Sequence, residues 1–102
     1  YYTLGGYFGN INANTESNYE ACIITAQNAL KAYPYTDKRE AFSILIMKSK
    51  YYLAKNSSEA KRQERYRDAE DECYGFLNEF PESKEAETAK EYIEKCKKIT
   101  KD

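Results

Sequence analysis

The chain has 102 residues, enough for one small domain with a modest core. Its 16 basic and 17 acidic side chains nearly cancel, which argues against a nucleic-acid surface, and no apolar run is long enough to span a bilayer. It contains no histidine, so the usual general base near neutral pH is missing.

The opening residues fit a short helix over 1–9 that ends near Gly5-Gly6 or Gly9-Asn10. Residues 1–36 carry only three charged side chains, Glu16, Glu20 and Lys31. That weakly charged beginning, with Tyr1, Tyr2, Tyr7 and Phe8, reads as surface meant to be covered. With no initiating Met, the chain reads as a piece of a longer protein. Asn10 to Asn18 is rich in turn and cap residues and is assigned to a loop.

A helix is predicted over 18–33, with Tyr19, Cys22, Ile23, Ala26, Leu30 and Tyr33 on one stripe. Ser17-Asn18-Tyr19-Glu20 matches a capping box at its start, and Pro34 stops it. A second helix is expected over 37–55, behind a weaker capping signal at Asp37-Lys38-Arg39-Glu40. Its stripe is Phe42, Leu45, Ile46, Ser49, Tyr52 and Leu53. Between Ala41 and Met47 it is apolar nearly all round, which places it centrally, with neighbours on more than one side.

Asn56-Ser57-Ser58 breaks that helix, and another is predicted over 59–80. Glu59 to Arg65 is polar on every face; beyond it run Tyr66, Ala69, Cys73, Phe76, Leu77 and Phe80. The last helix, 84–99, carries Ala86, Ala89, Ile93, Cys96 and Ile99, with Lys95, Lys97 and Lys98 near its end. No segment alternates with the period of a strand.

The chain repeats itself at an offset of 47 residues. Tyr19, Cys22, Ala26, Leu30, Tyr33, Pro34, Thr36, Ile46, Ser49 and Tyr52 are answered by Tyr66, Ala69, Cys73, Leu77, Phe80, Pro81, Ser83, Ile93, Cys96 and Ile99. Self-similarity at this period signals stacked helix pairs. The expected fold is all-α: a tetratricopeptide-like α-solenoid of about five antiparallel helices, or two and a half helix pairs. It forms a single domain, 1–102, with repeats roughly 1–35, 36–81 and 82–102.

Cys22 and Ala69 each stand twelve positions before a closing proline, where the tetratricopeptide motif puts a small residue, and Leu4-Gly5 resembles the Leu-Gly of a first repeat helix. The repeat exceeds the usual 34 residues by thirteen, assigned to a longer central helix and the polar segment 54–65. The turns Leu30-Lys31-Ala32-Tyr33-Pro34-Tyr35-Thr36 and Leu77-Asn78-Glu79-Phe80-Pro81-Glu82-Ser83 resemble those of the BamD-type outer-membrane assembly lipoproteins. Tyr1-Tyr2-Thr3-Leu4-Gly5 and Lys61-Arg62-Gln63-Glu64-Arg65-Tyr66 also resemble members of that family. The likeness covers essentially the whole chain, mapped to the family's C-terminal portion.

The resemblance implies a bacterial periplasmic scaffold held at the outer membrane by a lipid anchor outside this fragment. The implied partners are the outer-membrane barrel assembly protein and accessory lipoproteins. Similar turns occur in the Tol-associated coordinator family. Alternative readings are therefore another periplasmic or cytosolic adaptor, or a regulatory repeat domain of a larger protein.

The sequence points to no catalytic, cofactor-binding or metal-binding residues. Paired carboxylates at Glu79/Glu82 and Asp71-Glu72 read as solvated surface, Ser57-Ser58 as linker and cap, and Gly5 to Gly9 lacks the setting of a phosphate loop. Cys22, Cys73 and Cys96 match neither a disulfide framework nor a metal-ligand pattern and are expected to be buried free thiols. Partner contact is assigned to Tyr35, Tyr51 and Tyr74, which lie off the stripes, and to Glu40, Ser43, Met47 and Lys50 on a groove-facing side of the central helix. Met47 has an equal second reading, packing against a neighbouring helix.

Overall fold

A computed structural model describes residues 15–100 of the chain. Four helices follow in order among the described residues: α1 (Thr15–Ala32), α2 (Arg39–Lys55), α3 (Glu59–Glu79) and α4 (Ala86–Thr100). No strand occurs among these residues. The helix expected over 1–9 lies outside the described residues. Each helix packs against the next one in the chain.

The two turns that contain proline are built alike, bond for bond, 47 residues apart. Tyr33 N–H donates to Ala29 O at 2.9 Å, and Phe80 N–H to Phe76 O at 2.7 Å, closing the preceding helices. Thr36 N–H then donates to Tyr33 O and Ser83 N–H to Phe80 O, both at 3.1 Å. Arg39 N–H donates to Thr36 O at 3.2 Å and Ala86 N–H to Ser83 O at 3.0 Å, starting the next helices. The hydroxyls of Thr36 and Ser83 accept from the N–H groups of Lys38 (3.2 Å) and Glu85 (3.0 Å). Each hydroxyl thus satisfies a backbone donor of the turn just before the incoming helix.

Two capping expectations change. The signal at Asp37-Lys38-Arg39-Glu40 gives no side-chain cap: Lys38 stands at the N-cap of α2 without a capping hydrogen bond, and the Thr36 hydroxyl accepts from Lys38 N–H in the turn before it. Ser17 lies inside α1, which begins at Thr15.

The core divides into two clusters on opposite sides of α2. On one side Leu45, Ile46 and Leu53 meet Cys22, Ile23 and Ala26 of α1, with Tyr19, Leu30 and Phe42 half-buried beside them. On the other side Met47, Tyr51 and Ala54 join Tyr66, Ala69, Cys73 and Phe76 of α3 and Ala89, Tyr92, Ile93 and Cys96 of α4. The all-round apolar character of residues 41–47 therefore reflects real neighbours on two sides.

The second face was not legible as a stripe, so Tyr51 was misplaced. It is 6% exposed, and its ring stacks on Tyr92 with centroids 4.0 Å apart. Met47 is fully buried, which is its packing reading. Conversely, the stripe residue Tyr33 is 70% exposed, because α1 ends before it and the turn carries it into solvent.

Cys22, Cys73 and Cys96 are free and buried. Burial pushes the Cys73 thiol up to about 12 and the Cys96 thiol to about 11, so neither forms thiolate near neutrality. Burial also raises the Tyr19, Tyr51, Tyr66 and Tyr92 phenols, the last reinforced by its hydrogen bond with Tyr52. Ser49 is fully buried on α2.

Truncating Met47 to Ala should cost about 2–5 kcal/mol in denaturant unfolding, through the cavity left between α2 and α3. Leu30→Ala and Leu77→Ala should fall at the lower end of that range, since both side chains are half-buried. The raised thiol and phenol values give a second expectation. The folded state holds these protons more tightly than the unfolded chain, whose thiols titrate near 9.0. Their contribution to stability is full below that pH and is lost as pH climbs through about 11 to 12. A circular-dichroism titration should show alkaline unfolding accompanied by a cooperative rise in tyrosinate absorbance.

Candidate functional site

Because α2 inserts between α1 and α3, those two helices stand apart with a groove of about 880 Å³ between them. Ile23, Ile24 and Gln27 of α1 form one wall, Lys50 and Leu53 of α2 the floor, and Lys61, Glu64, Arg65, Arg67, Asp68 and Asp71 of α3 the other wall. Glu20 stands at the α1 side. The far wall includes part of the polar run Glu59 to Arg65. Part of the segment 54–65 thus raises one side of the groove.

Partly exposed ion pairs and hydrogen bonds brace the groove's walls. Lys50 Nζ lies 3.1 Å from Asp68 Oδ1 and 3.0 Å from Glu72 Oε1, with only 14% of its side chain exposed. Burial alone would lower the Lys50 pKa, but the hydrogen bond to Glu72 and the charges of Glu72 and Asp68 outweigh it, and the net direction is upward. Arg65 donates to Ser57 Oγ at 2.7 Å and to Glu20 Oε2 at 3.2 Å, tying α3 to the linker and to α1. Ser57 in turn donates to Leu53 O at 2.6 Å, and Arg62 donates to Ser57 O at 3.2 Å. Ser57 therefore serves as a linker brace, with its hydroxyl held by a carbonyl and a guanidinium.

Ile24 is 56% exposed on the apolar wall. It falls between Ile23 and Thr25, off the buried stripe of α1, and was not singled out from the sequence. The available signal was a large aliphatic side chain on a charge-poor helix at a position the stripe does not need.

Of the seven residues assigned to partner contact, only Lys50 lines this groove. Glu40 borders a second depression beside Phe80, Pro81 and Ser83, and Tyr35, 97% exposed, borders a third at the Tyr33-Pro34 turn. Tyr74 of α3 is exposed, with Lys97 Nζ of α4 5.8 Å from its ring centroid. Ser43 is half-buried, and Met47 and Tyr51 are core residues. The seven positions therefore do not form one surface. Among the described residues, no group of three or more His, Cys, Asp or Glu stands where it could hold a metal ion, and no helix is long and apolar enough to cross a membrane.

Arg39 pairs with Glu79 across the start of α2 and the end of α3, both side chains being about 40% exposed. Replacing Lys50 with Met should cost about 1–3 kcal/mol, because it keeps the stem but leaves two carboxylates without their sheltered cation. Arg39→Ala should cost no more than about 1 kcal/mol, since water and salt screen that pair. Urea unfolding of the two variants at low and high salt would check both the ranking and the salt dependence. No family model, curated protein or solved structure matches the chain.

Proposed function

We propose that this chain is a non-catalytic scaffold that holds a segment of another protein in the groove between α1 and α3, within a tetratricopeptide-like array of helical hairpins. The observation that carries this reading is the groove itself: Ile24, exposed on one wall beside the buried Ile23 and Leu53, is faced by a charged wall. Such a site buries a partner's apolar side chains on one side and selects them by charge on the other. The array reading draws support from the two proline turns made by the same hydrogen bonds at an offset of 47 residues.

The finer form of the proposal rests on the resemblance of the two turns to those of the BamD-type lipoproteins. In that form the protein works in the periplasm, anchored at the outer membrane, and its partner belongs to the machinery that inserts β-barrel proteins.

Affinity purification of the full-length protein from bacterial membranes tests both levels. Recovery of a barrel protein with its periplasmic domains is expected, whereas purely cytosolic partners would remove the finer reading. Ile24→Asp should reduce recovery of that partner by about tenfold or more, the loss expected when a central apolar contact is replaced by a charge. Its stability should change by no more than about 0.5 kcal/mol, because the side chain is more than half exposed. Unchanged recovery would sink the groove assignment.

A further inference from the structure

The groove between α1 and α3 is lined by more charge than its own ion pairs use. Lys50 is held by Asp68, and Arg65 by Glu20. Lys61, Glu64, Arg67 and Asp71 stand exposed on the α3 wall and form no ion pair with any described residue. Spacing is not what keeps them apart. On α4 Glu87 and Lys90, three residues apart, meet at 3.5 Å. Glu64 and Arg67 have the same order and spacing and make no such pair.

Along the wall these side chains alternate in sign: base, acid, base, acid, at intervals of three, three and four residues. The α1 wall carries no matching pattern. Ile23, Ile24 and Gln27 are uncharged, and Glu20 is tied to Arg65.

The alternation has a pitch that an occupant must match. Lys61 and Asp71 are about 15 Å apart along α3, so successive charges advance by about 5 Å. A strand turns one face outward every second residue, about 6.7 Å, and over four positions falls out of step by about 5 Å. Residues three and four apart on one face of a helix advance by about 4.5 and 6 Å, which keeps step with the wall. A helix laid along α3 therefore meets all of these charges at once, with its other side against Ile24.

We propose that the partner segment held in this groove is an amphipathic helix whose α3-facing side alternates acid and base. This rests on the groove reading above and adds what selects the occupant. The logic is that of the flanking charges in paired coiled-coil helices. An alternating helix matches every charge of the wall in one of the two directions along α3. A helix with its acids and bases in separate blocks matches half of them in either direction.

Two labelled peptides of identical composition test this by fluorescence anisotropy on the 102-residue chain. Both are alanine-based helices with leucines on one face. On the other face glutamates and lysines follow the spacing of the wall, alternating in one peptide and in two blocks in the other. The alternating peptide should bind about tenfold more tightly at low salt, the combined effect of several exposed pairs, and the difference should shrink as salt is added. Glu64→Arg combined with Arg67→Glu sorts the wall into a basic and an acidic block without changing its net charge, and the preference should then invert. Equal affinities, no binding of either peptide, or a preference that the exchanged wall leaves in place would overturn the proposal. Ile24→Asp keeps the two readings apart. If it weakens both peptides while charge order has no effect, the alternating helix is ruled out and the groove stands. Binding of both peptides that Ile24→Asp leaves unchanged would remove the groove and the proposal with it.

Discussion

Burial of α2 on two sides is the constraint from which the other features follow. A helix with one apolar stripe needs one neighbour; α2 has Leu45, Ile46 and Leu53 on one side and Met47, Tyr51 and Ala54 on the other. The chain satisfies both by placing α1 against the first side and α3 with α4 against the second. Small side chains sit where the packing is tightest: Ala54, Ala69, Ala89 and Cys96 are completely buried. With α2 wedged between them, α1 and α3 do not close on each other, and Lys50 and Leu53 become a floor. The groove thus follows from the core, and the linker residue Ser57 braces it.

The polar extension at the start of α3 has a matching logic. Glu59 to Glu64 have no core to cover and are exposed. Arg62 and Arg65 draw that turn of helix down onto Ser57, and Arg65 also reaches Glu20 on the opposite wall. One guanidinium therefore ties the start of α3 both to the linker and to α1. Charges left along the rim, Lys61, Glu64, Arg67 and Asp71, are exposed; at such positions charge governs the rate and selectivity of encounter more than its strength.

Helix positions were legible in the sequence because proline, the small residues before it and the apolar spacing all report local backbone needs. The internal duplication was legible for the same reason, and it extends to hydrogen bonds that no sequence displays. The second apolar face of α2 was hidden. Met47 and Tyr51 follow a spacing of four and could not be told from surface until α3 and α4 were set beside them. Tyr33 failed in the opposite direction: its spacing fits the stripe, but the helix ends one residue earlier. Ile24 went unnoticed because periodicity identifies what is buried and is silent about which exposed aliphatic lines a concavity. Lys50 alone joined the two levels, being charged, off the main stripe and seated where three helices meet.

The three sheltered thiols carry a last consequence, for behaviour under oxidants. A hydroperoxide or a small disulfide attacks thiolate, and here the sulfur must first reach water. Conversion of Cys73 or Cys96 to sulfenic acid is therefore gated by opening of the cluster that holds both, not by the abundance of the reagent. The same burial makes a brief exposure hazardous. An unfolding event frees both sulfurs together, and a bond formed between them or to a neighbouring molecule would have to be broken before the helices could repack. In an oxidising compartment, the lifetime of this fold would be set by how seldom α3 and α4 part.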